Sequence, residues 1–140
     1  MIVPDSSVLV AGYVADHDFH DVAKAAVLEV REEGRMVAHT MAETYAVLSA
    51  PAGVYRVDPA AVLEYLKTLL DDSLPVQPYP GAYMEALELL SGKGRGGAPI
   101  YDALIALTTR DAGATLVSLD RRAKPIYELC GAEFRFLDEA

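Results

Sequence analysis

Four acidic residues carry the chemistry to be sought in this chain. Asp5 follows a short apolar start, Ile2-Val3, that breaks at Pro4. Glu43 stands in the first turn after a second apolar run, Met36-Val37-Ala38. Asp102 lies in the first turn of the segment opened by Pro99, and Asp120 follows the apolar stretch Thr115 to Leu119. Each has a structural explanation. Asp5 and Asp120 can cap the turns that follow them. Thr40-Met41-Ala42-Glu43 reads as a capping box, in which Glu43 only bonds back to its helix start. Asp102 near a helix N-terminus is favoured by the macrodipole. Taken singly, these explanations outweigh function. Taken jointly they weaken, because four unpaired carboxylates brought together repel and raise one another's pKa values. A divalent cation removes that penalty, and an all-oxygen ligand set suits Mg²⁺ or Mn²⁺.

Whether the acids meet depends on the elements that carry them. Ile2-Val3, Met36 to Ala38, Leu74 to Gln77, Thr115 to Leu119 and Phe134 to Leu137 read as short strands, the third weakened by two prolines. Between them lie helical patterns. Ser7 to Val14 is apolar, with Ser6 or Ser7 as cap, and His20 to Glu33 places Val22, Ala23, Ala26, Val27 and Val30 at helical spacing before Gly34. Met41 to Ser49 follows, and Asp58-Pro59 opens a further helix as N-cap and first residue. Ala82 to Leu90, Pro99 to about Gly113, and Pro125 to Leu129 complete the series. Strands alternating with helices predict an α/β fold, a mainly parallel sheet covered on both faces. In such sheets ligands sit outside the carboxyl ends of the strands, which is where these acids fall.

Composition sets the outer bounds. The chain has 140 residues, 52% hydrophobic and 24% charged, which suits one ordered domain. A compact chain of this size buries roughly two-thirds of its unfolded surface, enough for a core without cross-links. The single cysteine, Cys130, excludes an intrachain disulfide and a multi-cysteine zinc site, and reads as a small core residue. No apolar run approaches a membrane span of about 18 residues, and the first residues carry no basic, signal-like stretch. The expectation is a soluble cytoplasmic protein. The net charge of −9 argues against a nucleic-acid partner, but the charge is unevenly spread. Residues 93–124 hold Lys93, Arg95, Arg110, Arg121, Arg122 and Lys124 against only three acids, a local +3, while the rest of the chain sums to −12.

The local words around the acids resemble those of PIN-domain ribonucleases. Val3-Pro4-Asp5-Ser6-Ser7-Val8-Leu9 is similar to the opening strand and turn of that family, Met41-Ala42-Glu43 to its second acidic site, Ile100 to Ala106 around Asp102 to its third, and Leu116 to Arg122 around Asp120 to its fourth. The tail from Tyr127 through Gly131 to Leu137 follows the same pattern, so the resemblance spans the chain. The compact size looks most like VapC-type toxins of toxin–antitoxin pairs. The resemblance implies a three-layer α/β/α PIN fold with a short central sheet, one domain over residues 1–140. It also implies a Mg²⁺-dependent endoribonuclease, Mn²⁺ substituting, with Asp5, Asp102 and Asp120 on the metal. Glu43 would bind through water or orient the attacking water, and Ser7 and Ser118 would support the metal site. Such a protein works on RNA, as a type II toxin held by a small VapB-like antitoxin, and is usually a homodimer. The basic window then reads as a phosphate-contacting rim, with Lys93, Arg95, Arg121 and Arg122 as its RNA-binding members.

Two other functions compete. A phosphoryl-transfer protein, phosphatase- or receiver-like, also places acids at strand ends. The phosphatase wants a second Asp two residues after the first, where Ser7 stands; the receiver wants a late lysine, and Lys124 is poorly placed after Asp120. The second competitor is a catalytically silent PIN-like interaction module whose acids merely cap helices. Gly92-Lys93-Gly94-Arg95-Gly96-Gly97 matches G-x-G-x-x-G, but it follows a helix and not a strand, so it reads as a flexible loop, with the admission of RNA beside Asp102 as its functional alternative. His17, His20 and His39 lack metal spacing and read as incidental, His39 alone standing near a candidate acid.

Overall fold

A computed structural model describes residues 1–138. Strand β1 (Ile2–Pro4) leads into helices α1 (Ser6–Tyr13), α2 (His20–Glu33), α3 (Ala38–Ser49), α4 (Pro59–Leu70), α5 (Ala82–Gly92) and α6 (Pro99–Asp111). Strand β2 (Thr115–Ser118), a 3₁₀ turn (Arg121–Ala123), α7 (Lys124–Leu129) and β3 (Glu133–Phe136) follow. The three strands form one parallel sheet in the order β1-β2-β3, with Val3 beside Leu116 and Leu116 beside Phe134.

Strand periodicity divides the core in two. Ile2 and Val117 pack with α1, α2 and α4 through Leu9, Val27, Val30, Leu66 and Leu69. Their neighbours Val3 and Leu116 point to the opposite face and pack with α5, α6 and α7 through Ala86, Leu90, Leu107, Ile126 and Tyr127. Successive side chains leave opposite faces of a strand, so both sides of so short a sheet must be covered. The result is the expected three-layer α/β/α arrangement. Cys130 is buried in the second cluster, as its composition predicts. On the first face, a Cβ on Gly12 would stand 2.7 Å from Val27 Cγ2, so only glycine lets α1 lie this close to α2.

The structure corrects several expected elements. Met36 to Ala38 and Leu74 to Gln77 make one parallel bridge, Val37 to Val76, and not two strands. Pro75 and Pro78 flank Val76 and offer no N–H to extend the ladder. Helix α3 begins at Ala38, not Met41, because Ala38 N donates to Val76 O at 3.0 Å and a distant carbonyl satisfies the helix start. The final strand starts one residue early, at Glu133. The cap of α1 is Asp5, whose side chain accepts from Val8 N; Ser6 and Ser7 lie inside the helix. Among the described residues, no helix is long and apolar enough to cross a membrane.

Candidate active site

β1 and β2 lie side by side, so their carboxyl ends deliver Asp5 and Asp120 to one edge. Asp5 N donates to Val117 O at 3.0 Å, which continues the pairing past β1. Two hydroxyls then stitch the strand ends together. Ser7 Oγ donates to Asp5 Oδ1 and accepts from Leu119 N at 2.9 Å. Ser118 Oγ donates to Asp5 Oδ2 and accepts from Asp120 N at 3.0 Å. Ser7 and Ser118 thus each bridge Asp5 to the turn after β2.

Asp5 is the buried floor of the site, 3% exposed. Besides the two serines, Val8 N donates to Oδ1 at 3.3 Å and Tyr127 Oη to Oδ2 at 2.9 Å. Burial raises its carboxyl above the usual range, and the hydroxyls of Ser118, Ser7 and Tyr127 pull back against that. Tyr127 was not found by sequence reasoning. It reaches Asp5 from α7, 122 residues away, with its ring fully buried. Burial, with Asp5 beside it, pushes the phenol far upward, so it remains a neutral donor.

The other acids approach from helices. Glu43 Oε2 accepts from Ser6 Oγ at 2.9 Å, and Oε1 stands 3.3 Å from His39 Nε2. The His39 ring stacks on Tyr101 with centroids 5.0 Å apart and planes 12° off parallel. The capping-box explanation fails. Thr40 is buried within α3, its hydroxyl has no hydrogen-bond partner, and Glu43 bonds outward to α1. His39 is no incidental residue, and its i,i+4 spacing to Glu43 was the available signal. Asp120 does cap the turn after it, accepting from Arg122 N at 3.2 Å, with Arg122 Nε 3.4 Å away.

Asp102 differs from all three. It is half-buried in the first turn of α6, caps nothing, and has no hydrogen-bond or ion-pair partner among the described residues. Burial pushes its pKa up to about 6, reinforced by the carboxylates of Glu43, Asp120 and Asp5 and opposed by Arg122. Glu43, Asp120 and Asp5 therefore all act electrostatically on Asp102, although among the described residues no three ligand-type side chains stand close enough, as placed, to hold a metal ion together. An open oxygen array suits Mg²⁺, which keeps several waters and takes only one or two carboxylates directly.

The basic residues divide. Arg122 is 95% exposed along its side chain at the lip of the acidic site. Arg121 forms a two-point ion pair with Asp138, at 2.9 and 2.8 Å, and lies 4.8 Å from the centre of the Phe136 ring. Arg110 is tied to Glu85, Tyr79 and the Cys130 carbonyl, at the opposite end of α6 from Asp102. Lys93 and Arg95 are exposed in the turn that closes α5, where Gly94 and Gly97 take positive φ.

The Asp102 shift sets a pH signature. A carboxyl whose folded pKa is raised holds more protons in the folded than in the unfolded chain between about pH 4 and 6. Its contribution to stability therefore falls as pH rises through that window. In EDTA, the melting temperature of Asp102→Asn relative to wild type is expected to rise between pH 4 and pH 7. Parallel curves for the two proteins would show that Asp102 does not feel its neighbours.

A parallel sheet between helical layers, with acids converging at its carboxyl edge, defines a class of α/β proteins built to present oxygen ligands. The chain belongs to the PIN domain family, whose family model matches residues 2–129. Among curated relatives, Ribonuclease VapC40 of Mycobacterium tuberculosis is 35% identical over 128 residues, covering 91% of this chain and 92% of that protein. Ribonuclease VapC27 of the same organism is 30% identical over 127 residues, covering 91% and 90%. The crystal structure of PAE2754 from Pyrobaculum aerophilum superposes with a TM-score of 0.61 at 25% identity, over 95% of this chain and 89% of that one.

Proposed function

We propose that this protein is a Mg²⁺-dependent endoribonuclease, with Mn²⁺ able to substitute, and the toxin of a type II toxin–antitoxin pair in the cytoplasm. The observation that carries the reading is Asp102, a half-buried carboxylate left without a partner among three others. A bound cation would offset that crowding without protonating the acid, and a module whose acids merely cap helices has no use for an acid that caps nothing. The relatives named as ribonucleases support RNA as the substrate. Their VapC designation supports a small VapB-like antitoxin as partner.

Asp5, Asp102 and Asp120 would hold the ion. When bound, it lowers the pKa of water and offsets charge on the attacked phosphodiester. The remaining work falls to side chains. Tyr127, Ser7 and Ser118 fix the Asp5 carboxylate from below. Ser6 holds Glu43 with His39 Nε2 3.3 Å from its other oxygen, and its carboxylate is placed to orient the attacking water and accept its proton. Arg122 is placed to meet a phosphate. A homodimer is supported by Tyr83, Met84 and Leu87, which leave an exposed apolar stripe on α5.

The test is incubation of single-stranded RNA and a simple phosphomonoester with the purified protein in Mg²⁺. Internal RNA cleavage without phosphate release is expected; the reverse would favour the phosphatase-like alternative. Glu43→Gln keeps the bond from Ser6 but removes a charge, and is expected to lower cleavage by about 10²-fold, the scale of losing a positioned acid–base group. Unchanged cleavage would remove Glu43 from the chemistry.

A further inference from the structure

A cleft of about 430 Å³ opens beside the carboxylates, sharing four residues with their site, and its apolar and aromatic lining has no role in the chemistry above. Its lining combines polar residues from the carboxylate site, Ser6, Ser7, Asp120 and Arg122, with apolar and aromatic ones: Val10 and Leu119, Phe19 and His17 from the α1–α2 connection, Val47 from α3 and Tyr55 from the turn after it. We propose that this cleft is a nucleobase pocket, receiving an unpaired base of the nucleotide adjoining the bond that is cut. The proposal rests on the ribonuclease reading and adds to it a recognition site.

Three observations support a base as the occupant. The cleft is continuous with the acidic site, because Ser6 holds Glu43, Ser7 holds Asp5, and Asp120 is itself a candidate ligand. A strand whose phosphate lies at the carboxylates must place an adjoining base close by, and a lining that joins polar, charged and aromatic side chains offers partners to both the charged and the flat parts of a nucleotide. Arg122, exposed in that lining, complements phosphate. The aromatic wall is also organised in advance. Phe19 is a large apolar side chain left 42% exposed, yet its backbone is fixed, since Phe19 N donates to His17 Nδ1 at 3.1 Å. The same bond makes the neutral imidazole of His17 the Nε2–H tautomer, a donor on a residue that lines the cleft. The two rings stand 6.2 Å apart at 47°. Unpaired bases stack on such rings and hydrogen-bond along their edges, whereas a paired base offers neither face. The volume lies within the range of small-molecule sites and admits one nucleoside, not a duplex.

The test uses an RNA oligonucleotide with a mapped cleavage site and two versions carrying an abasic ribose, on one or the other side of the cut bond. Stacking on an aromatic side chain is worth about 10-fold in binding. Wild type is expected to show a KM raised about 10-fold by one of the two abasic substitutions, with kcat little changed. Phe19→Ala is expected to suffer the same loss on intact RNA and no further loss on that abasic RNA, while its melting temperature and Mg²⁺ affinity stay at wild type. Equal KM values of the wild-type protein for intact and abasic RNA would overturn the base pocket without touching the ribonuclease reading. So would unchanged RNA kinetics in Phe19→Ala with weakened binding of a partner protein encoded beside it, which would make the cleft a peptide groove. A wild-type protein that cleaves no RNA would overturn the ribonuclease reading instead. The cleft would then be scored by titrating AMP and UMP while following the Phe19 ring resonances: saturable shifts support it, and their absence overturns it.

Discussion

Asp102→Asn is expected to abolish RNA cleavage, by at least about 10²-fold, while leaving the fold intact. Removing a partner that only orients a metal ligand costs about 10–100-fold, so removing a ligand itself should cost more. The fold should tolerate the change because Asp102 contributes no hydrogen bond among the described residues. Its charge stands among Glu43, Asp120 and Asp5, so the neutral amide relieves repulsion. The combination of lost activity and kept or improved stability marks an acid retained for a ligand. Activity near wild type, or a marked loss of melting temperature, would return Asp102 to an architectural role.

The second large effect is expected at Asp5, and it runs the other way in stability. Asp5→Ala should abolish cleavage and also destabilise the fold. Four donors lose their acceptor at once: Ser7, Ser118, Tyr127 and Val8 N. Helix α1 loses its cap, typically about 1 kcal/mol. Each donor left buried and unpaired costs about 1–3 kcal/mol before side chains rearrange. A net loss on the order of 3 kcal/mol is expected after the hydroxyls turn to other acceptors. Burial raises the Asp5 carboxyl against the pull of its donors, so its charge is a cost that the hydrogen bonds to its acceptor atoms offset. Asp5→Asn, which keeps one acceptor oxygen, should therefore fall between wild type and Asp5→Ala in melting temperature and be as inactive as Asp5→Ala. A melting temperature for Asp5→Ala equal to that of Asp102→Ala would contradict the distinction.

The same contrast explains what could be read from residues alone. Asp5, Glu43 and Asp120 each follow or closely succeed an apolar run, and the alternation of strands with helices along the chain implies a sheet covered on both faces. Those are local patterns. What sequence reading missed was set by distant partners. The start of α3 depends on a carbonyl at Val76, so the local Thr40–Glu43 pattern pointed to a cap that does not form. Tyr127 is fully buried in the core, yet its hydroxyl reaches an acid at the other end of the chain. Arg121 and Arg122 are adjacent and alike in type, but only Arg121 meets Asp138, and nothing local separates them. Asp102 was placed by its segment's resemblance, and its lack of a partner became visible only in three dimensions.

The central claim is that these four acids form one metal-dependent, RNA-cutting site. The most direct measurement is single-turnover cleavage of an end-labelled RNA by metal-free wild type and metal-free Asp102→Asn, with Mg²⁺ titrated into both. The account predicts no cleavage by either protein in EDTA, saturable recovery by wild type as Mg²⁺ is added, and none by Asp102→Asn over the same range. Cleavage by wild type in EDTA, or equal recovery in the two proteins, would contradict it.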